Sequence, residues 1–466
     1  MMETIDREHP EYVARKAMWR HYKDLYAGGE QLRNHAPEYL VRRHKEPLAI
    51  YEERLSRVFY ENYIGSIIDW YAATLMHRAP SVLIEGTDAA AKSFYGQLAN
   101  NCDLKGTSLS EFFRQQFRQM MVCGSSFLVV DFPRGNGAAL TRAEEDASGQ
   151  SRAYLMDYGA DEVINWNYGE TGGLEWAVIR TSCLRQSKVT DAKWETETRW
   201  VYYDRENFRI YRKGGEKDPI GPIDEGRHGL AALRRVPVFE LKATDGLWLM
   251  NKAALLQLEH FNKSNALSWA LTMGLFAMPV VYSDKEWQQV VGESYYIQLG
   301  KDDRFGWTEP EGKVYQLAAD NLLQLKDEIY RVCYLMIQAG AGSASHPNQS
   351  GVSKKLDFNA TEEVLRAYGA MVREAMKQVL WAIAAARQDA VEIDVSGLDE
   401  FDIDEFASEL DDAKKLLDLG IGSETLTKEV FKRLAFKYLS DARQEVKNTV
   451  AEEIEAATSS PPINAD

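Results

Sequence analysis

Between Asp320 and Gln338 the apolar residues Leu322, Leu325, Ile329, Val332 and Met336 return at three- and four-residue steps, the period of one helix face. The pattern then stops. GAGSASHPNQSG, Gly340 to Gly351, holds three glycines, three serines and a proline, a composition that predicts a loop. Helical periodicity resumes at Asn359, whose side chain is placed to cap a helix, with Glu362 three positions on as in a capping box. The helix so predicted, ATEEVLRAYGAMVREAMKQVLWAIAAARQ, is roughly 40 Å long at about 1.5 Å per residue. A polar loop between two long helices is expected to project into something.

From the N-terminus, residues 7–30 predict an amphipathic helix stopped by Gly28 and Gly29, and a second helix from Glu53 to His77 carries Leu55, Val58, Phe59, Tyr63, Ile67, Trp70, Tyr71 and Leu75. Pro80 then forces extended backbone into a short strand within RAPSVLIEG. Helices follow over Asp88 to Asn101 and Ser110 to Val122, the latter introduced by Ser108 and Glu111 as a capping box. Beyond Gly124 the period becomes that of strands: SFLVVDFP, AYLMDYG, EVINWNY, LEWAVIRTSCL, TRWVYYD and NFRIYRKGG, closed by VPVFELK, predict a small β-domain or meander. A long helix starts near Leu247 and stops at Pro279. Between Pro279 and Ala318 lies a compact module: VVYSD, a short helix KEWQQVV, and strands YYIQLG and KVYQLA around a charged turn. The tail predicts a strand VEIDV and helices over Glu405 to Leu419, Ser423 to Phe436 and Ser440 to Ala457. The fold class is α+β, mainly helical.

A chain of 466 residues exceeds one ordinary core and predicts two to four parts, and 45% apolar with 11% aromatic residues excludes global disorder. The formal charge of −16 argues against a surface that clamps nucleic acid everywhere, without excluding one that nucleic acid slides past. Cys102, Cys123, Cys183 and Cys333 form no CxxC pair and each lies in an apolar segment, which predicts buried, inert thiols in a reducing compartment. The charged start MMETIDREHPEY shows no secretory pattern. Ser264 to Ser283 contains no charged residue, yet Pro279 and scattered polar side chains favour a helix packed on protein over a bilayer span.

Catalytic signals are faint. GWTEPEGK, Gly306 to Lys313, has the wrong spacing for a phosphate-binding loop, with Val314 where a hydroxyl is needed, and reads better as a turn. CGSSF, Cys123 to Phe127, lacks the closing glycine of a nucleophile elbow, so its serines are expected to begin a strand. The eight histidines make no HxxxH or HxxH pair; His77 and His260 are expected within helices and His346 in the glycine-serine loop. Asp399, Glu400, Asp402, Asp404, Glu405, Glu409, Asp411 and Asp412 crowd one region, a density that signifies a solvated face more often than an acid/base pair or cation site. Two features stand out. Lys354 and Lys355 put cations at the end of the loop in an acidic chain, and MGLFAMPVV and VLWAIAAA are apolar all round, as suits either subunits packed side by side or an intrachain core.

The succession of parts resembles a tailed-bacteriophage portal protein, the head-to-tail connector, from about Tyr51 to Phe436. RLSRVFYENYIGSIIDWYAATLMHRAP is similar to that family's early wing helix, MVCGSSFLVVDFP to the strand that starts the wing sheet, and LLQLEHFNKSNALSWALTMGLFAMPVV to the first stem helix entering the clip. The resemblance implies a wing (1–245), first stem helix (246–278), clip (279–318), second stem helix (319–339), tunnel loop (340–357), long wing helix with its strand (358–398) and crown (399–466). It implies a ring of about twelve subunits at one capsid vertex of the virion, assembled in the host cytoplasm. That ring is the conduit for double-stranded DNA and contacts the terminase large subunit, a head-tail adaptor and the major capsid protein or scaffold. Carried onto this chain, the tunnel loop supplies Ser343, Ser345, His346, Asn348, Gln349, Ser350, Lys354 and Lys355 to the channel; the stem supplies Glu259, Lys263, Lys326 and Asp327; the clip presents Trp287, Tyr295, Arg304 and Trp307 for docking. No cofactor, metal or catalytic group is implied, since force comes from a separate terminase. Acidic walls repel phosphate and let DNA slide. A membrane-associated pore-forming oligomer, suggested by Ser264 to Ser283, and an enzyme built on the acidic cluster near Asp402 are the competing readings.

Overall fold

In chain order the elements are α1 (Pro10–Ala27), α2 (Gly29–Asn34), α3 (Ala36–Tyr39), α4 (Leu48–Ser56), α5 (Tyr63–Leu75), β1 (Ser81–Glu85), α6 (Ala89–Asn100), α7 (Leu109–Cys123), β2 (Ser125–Asp131), β3 (Tyr154–Gly159), β4 (Val163–Tyr168), β5 (Leu174–Arg185), β6 (Glu195–Tyr203), β7 (Asn207–Lys213), β8 (Gly221–Arg227), β9 (Val238–Lys242), α8 (Leu249–Gly274), β10 (Met278–Tyr282), β11 (Arg304–Thr308), α9 (Gly312–Val332), α10 (Gly351–Arg387), β12 (Glu392–Ser396), α11 (Glu405–Asp418), α12 (Glu424–Tyr438) and α13 (Gln444–Ala456). The computed structural model describes residues 5–86, 89–133, 149, 152–186, 194–214, 219–244, 246–274, 278–282, 302, 304–308, 312–335, 351–399, 405–419, 421–439, 442 and 444–457, without the side chains of 273–281, 305–308, 351–358, 405–409, 412, 437, 444 and 445. The class is α+β. The chain divides into two compact units, one of residues 1–23, 68–251 and 359–466, the other of 24–67 and 252–358.

The first unit is organised on α7. Its apolar stripe buries Leu109, Phe112, Phe113, Phe117, Met120 and Met121, and both ends are capped. Ser108 accepts from the Glu111 amide at the N-terminus, as the capping box predicts. At the other end the indoles of Trp19 and Trp248 donate to the Cys123 and Val122 carbonyls at 2.8 and 3.0 Å, satisfying acceptors the helix leaves open. Gly124 turns the chain out with φ 85°, and a Cβ there would meet the Trp248 ring at 3.0 Å, so glycine is required twice over.

Leaving that turn, Ser125 and Ser126 begin β2, the middle strand of a three-stranded antiparallel sheet in the order β3-β2-β9. The neighbouring sheet is a sequential antiparallel meander, β4-β5-β6-β7-β8. Val129, Val163, Ala177, Ile179, Tyr203, Phe208 and Val238 pack as one core beneath the two. Elsewhere in this unit Tyr368 of α10 meets Tyr71 and Phe117 edge-on, with centroids 5.6 and 5.0 Å apart, and its hydroxyl donates to the Leu247 carbonyl at 2.6 Å. Gly369 admits the Leu398 carbonyl so closely that a Cβ would sit 1.7 Å from the oxygen.

The second unit is pinned by Asp24, 1% exposed, which takes the Tyr39 hydroxyl at 2.5 Å, Gln31 Nε2 at 2.9 Å and His35 Nδ1 at 2.8 Å. Burial alone would raise this carboxyl; the three donors outweigh it and hold it below its ordinary value. Glu46 and Arg54 form a buried pair at 2.7 Å that closes the turn ahead of α4.

Four expectations are corrected. The single helix from Glu53 to His77 is two, because Asn265 clamps Phe59 from both sides, accepting from its amide at 3.2 Å and donating to its carbonyl at 2.9 Å, while Asn62 accepts from the Gly65 amide and restarts the helix as α5. His77 consequently falls just beyond α5. KVYQLA is the start of α9 and not a strand, and α10 begins at Gly351, so Asn359 lies inside it and Lys354 and Lys355 belong to its opening turns. Of the cysteines, 102, 123 and 333 are buried, with thiols that burial raises to about 12, whereas Cys183 on β5 is exposed.

Trp248→Phe leaves the Val122 carbonyl without its donor, and urea titration is expected to show a loss of about 1–2 kcal/mol. Gly124→Ala should cost at least as much, since it meets both the left-handed backbone and the Trp248 ring.

Candidate functional site

In the second unit α8 and α9 run antiparallel. Lys252 Nζ donates to the Tyr334 hydroxyl at 2.5 Å, Lys263 Nζ to Asn321 Oδ1 at 2.8 Å, and the Tyr315 hydroxyl to the Ala270 carbonyl at 3.3 Å, so partners on one helix advance as those on the other retreat. Beyond them the chain continues in the same sense as an antiparallel strand pair, Met278 opposite Thr308 and Tyr282 opposite Arg304. At about 1.5 Å per residue, the 26 residues of α8 span roughly 39 Å.

Polar ties dominate this pairing. Among the 21 residues of α9 only Ile329 is buried, although the half-buried Tyr315, Leu322, Leu325 and Lys326 keep the helical period. Val314, Leu317 and Leu323 stand 63%, 70% and 51% exposed, and Leu255 on α8 79%. The contrast with α7, of 15 residues with nine buried, is one of packing and not of amphipathicity.

The joint with α5 contains the only buried histidine among the described residues of the second unit. His260 on α8, 2% exposed, faces Glu61 with Nε2 at 3.5 Å from its carboxylate and packs edge-on against Tyr63 at 5.1 Å. Tyr63 in turn meets Tyr330 and carries the Lys326 ammonium over its ring at 5.8 Å. Among the described residues His260 Nδ1 has no hydrogen-bond partner. Burial lowers its affinity for a proton; Glu61 opposes that, and Lys326 adds to it.

The structure treats the sequence-derived residues unevenly. Glu259 and Lys263 lie on the exposed side of α8 and pair with each other at 3.0 Å, so they offer little net charge. Lys326 lies over the Tyr63 ring at 5.8 Å, and Asp327 is half-buried. Arg304 is exposed on β11; Trp307 is in the same strand. Trp287, Tyr295, Ser343, Ser345, His346, Asn348, Gln349 and Ser350 lie outside the described residues. Sequence reasoning missed His260 as a packing centre, because the residues around it come from α5 and α9. In the acidic region Asp399 is bound by Arg373 at 3.1 Å. Among the described residues no group of three or more histidine, cysteine, aspartate or glutamate side chains is arranged to hold a metal ion, and no helix is long and apolar enough to cross a membrane.

No family model and no curated protein matches the sequence. Among solved structures the chain is similar to a chain from the neck of an empty gene transfer agent particle, at 14% identity and TM-score 0.41, covering 78% of this chain and 87% of that one. It is also similar to a chain in the virion of a native gene transfer agent particle (12%, TM-score 0.37, covering 77% and 85%) and to one in the neck of a native particle computed with C12 symmetry (13%, TM-score 0.37, covering 78% and 87%). Likenesses of this size are too weak to decide a fold.

Because His260 binds protons less readily folded than unfolded, its contribution to stability is complete above its ordinary value near 6.5 and is lost as pH falls through the lower folded value. The melting temperature is therefore expected to drop as pH falls below about 6.5, and His260→Gln should flatten that part of the profile; an unchanged slope would show that other groups govern it.

Proposed function

We propose that the chain is the repeating subunit of a portal-type ring, the conduit for double-stranded DNA at one capsid vertex. One observation carries this reading: two long antiparallel helices that end in a strand pair, with Ile329 the single buried side chain of α9. A monomer would leave Leu255, Val314, Leu317 and Leu323 in water at about 25 cal/mol for every Å² of apolar surface, whereas neighbours placed around a ring cover such helices on both sides. The parts correspond to α8 and α9 as stem, β10 and β11 at the clip, residues 340–357 as tunnel loop, which takes in the opening turns of α10, and the rest of α10 as the long helix behind it.

In this assembly the net charge of −16 per chain gives DNA a wall it does not adhere to. Lys354 and Lys355, in the opening turns of α10, bring cations to the end of the loop for transient contact with phosphate. Of the stem residues, Glu259 and Lys263 line the channel as a neutral pair on α8, and Lys326, over the Tyr63 ring, and Asp327 stand on α9. Arg304 and Trp307, with Trp287 and Tyr295, form the end that receives the terminase large subunit and later the head-tail adaptor, and the wing meets the major capsid protein or scaffold. The chain itself has no catalytic role. Its place is the virion, after assembly in the host cytoplasm.

Negative-stain images of the purified protein are expected to show rings with an axial hole wide enough for a duplex; monomers alone at high concentration, with and without scaffold, would refute the assignment. Deletion of residues 342–351 should leave rings intact and impair packaging or retention of DNA. Replacing Lys354 and Lys355 by glutamate should reduce packaging in a salt-dependent way, measured as DNA protected from nuclease.

A further inference from the structure

The C-terminal helices of the first unit attach differently from the rest of it. Among the described residues of α12 and α13 only Lys432, Phe436 and Lys447 are buried: two lysines and one phenylalanine, where a packed helix would bury an apolar stripe. Lys432 Nζ contacts the Glu455 carboxylate and lies 3.5 Å from Glu429 and 3.6 Å from Glu85 on β1. Lys92 on α6 reaches Glu452 at 2.5 Å, and Lys428 donates to the Glu455 carbonyl at 3.0 Å. Burial works against the Lys432 ammonium; Glu455, with Glu429 and Glu85, outweighs it and keeps it charged.

Beneath these contacts is a cavity of about 890 Å³, lined by Ser81, Leu83 and Glu85 of β1 and by Asp394 and Ser396 of β12. The ribbon of β1 and β12 is two-faced. Val82, Ile84, Ile393 and Val395 are buried on its other side, in register across the pair. Lifting α12 and α13 would wet Ser81, Glu85, Asp394 and Ser396 together with the apolar Leu83 and Phe436, while Val82, Ile393 and Val395 stay packed, so hydrophobic burial is a smaller part of what holds these helices than in α7. The charges that hold the helices down are reachable by salt, because Glu85, Glu429, Glu452 and Glu455 are 67%, 63%, 59% and 53% exposed.

We propose that α12 and α13 form a releasable flap, closed over this cavity by an ionic clasp centred on Lys432 and Lys92 and opened by raised ionic strength to bare the polar face of β1 and β12. The proposal stands apart from the ring reading, since every residue in it belongs to one unit of one chain.

Hydrogen exchange of the full chain, followed by mass spectrometry in NaCl at about 0.1 M and about 1 M, tests it. Peptides from residues 424–456 are expected to exchange about tenfold faster at high salt while those from α7 are unchanged. Lys432→Met should abolish the salt response of the flap without altering α7, and Lys92→Met, which removes the outer tie, should reduce it. Equal exchange of 424–456 at both salts, a response undiminished in both variants, or loosening of flap and α7 together would each overturn the proposal.

Discussion

The constraint on which the rest turns is the imbalance in α9: a helix with a well-formed apolar period whose face its own chain covers only by halves, Ile329 alone being fully buried. Burial of apolar surface is the main force that holds helices in place, and α7 shows what the chain does when it uses that force internally, with phenylalanines and methionines enclosed and both ends capped. In α9 the work is done by Lys252, Lys263 and Tyr315, polar groups that set direction and register but supply little cohesion. Such a pair of helices is oriented by polar ties more than by shared apolar burial, and the proposed ring rests on that.

The same division recurs at the C-terminus. There the ribbon of β1 and β12 turns its valines and isoleucines inward, and the covering helices are held by lysines whose partners are half in solvent. Buried ion pairs cost desolvation and return less than their Coulomb attraction suggests. A joint of this type defines a geometry without making it permanent, unlike the aromatic contact of Tyr71, Phe117 and Tyr368 that joins α10 to the helices around it.

His260 and Asp24 show how polar groups serve in the second unit. Asp24 is fully supplied with donors and stays ionised in the interior; His260 lacks a partner for Nδ1 among the described residues and stays neutral. One carboxylate fixes the segment after α1, and one uncharged imidazole lets α8 and α5 approach. Their opposite solutions follow from the same cost of burying charge.

Elements whose signals are local were legible in the sequence. Ser108 with Glu111, the strand alternation from Ser125 to Lys242, Pro80 ahead of β1 and Ser423 ahead of α12 each act within a few residues, and the structure places elements there. What the sequence could not decide was settled across distance. Asn265, some two hundred residues from Phe59, is what splits α4 from α5. The start of α10 at Gly351 overrides a plausible cap at Asn359, because VSKKLDF contains neither proline nor glycine to prevent helix from forming upstream. KVYQLA alternates like a strand, yet Tyr315 is tied to Ala270 and continues the period of Leu322 and Ile329, so the partner helix decides its form. Local chemistry specified which segments become helices and strands, and tertiary contact alone determined where several of them break, which faces remain uncovered and which charges are brought together.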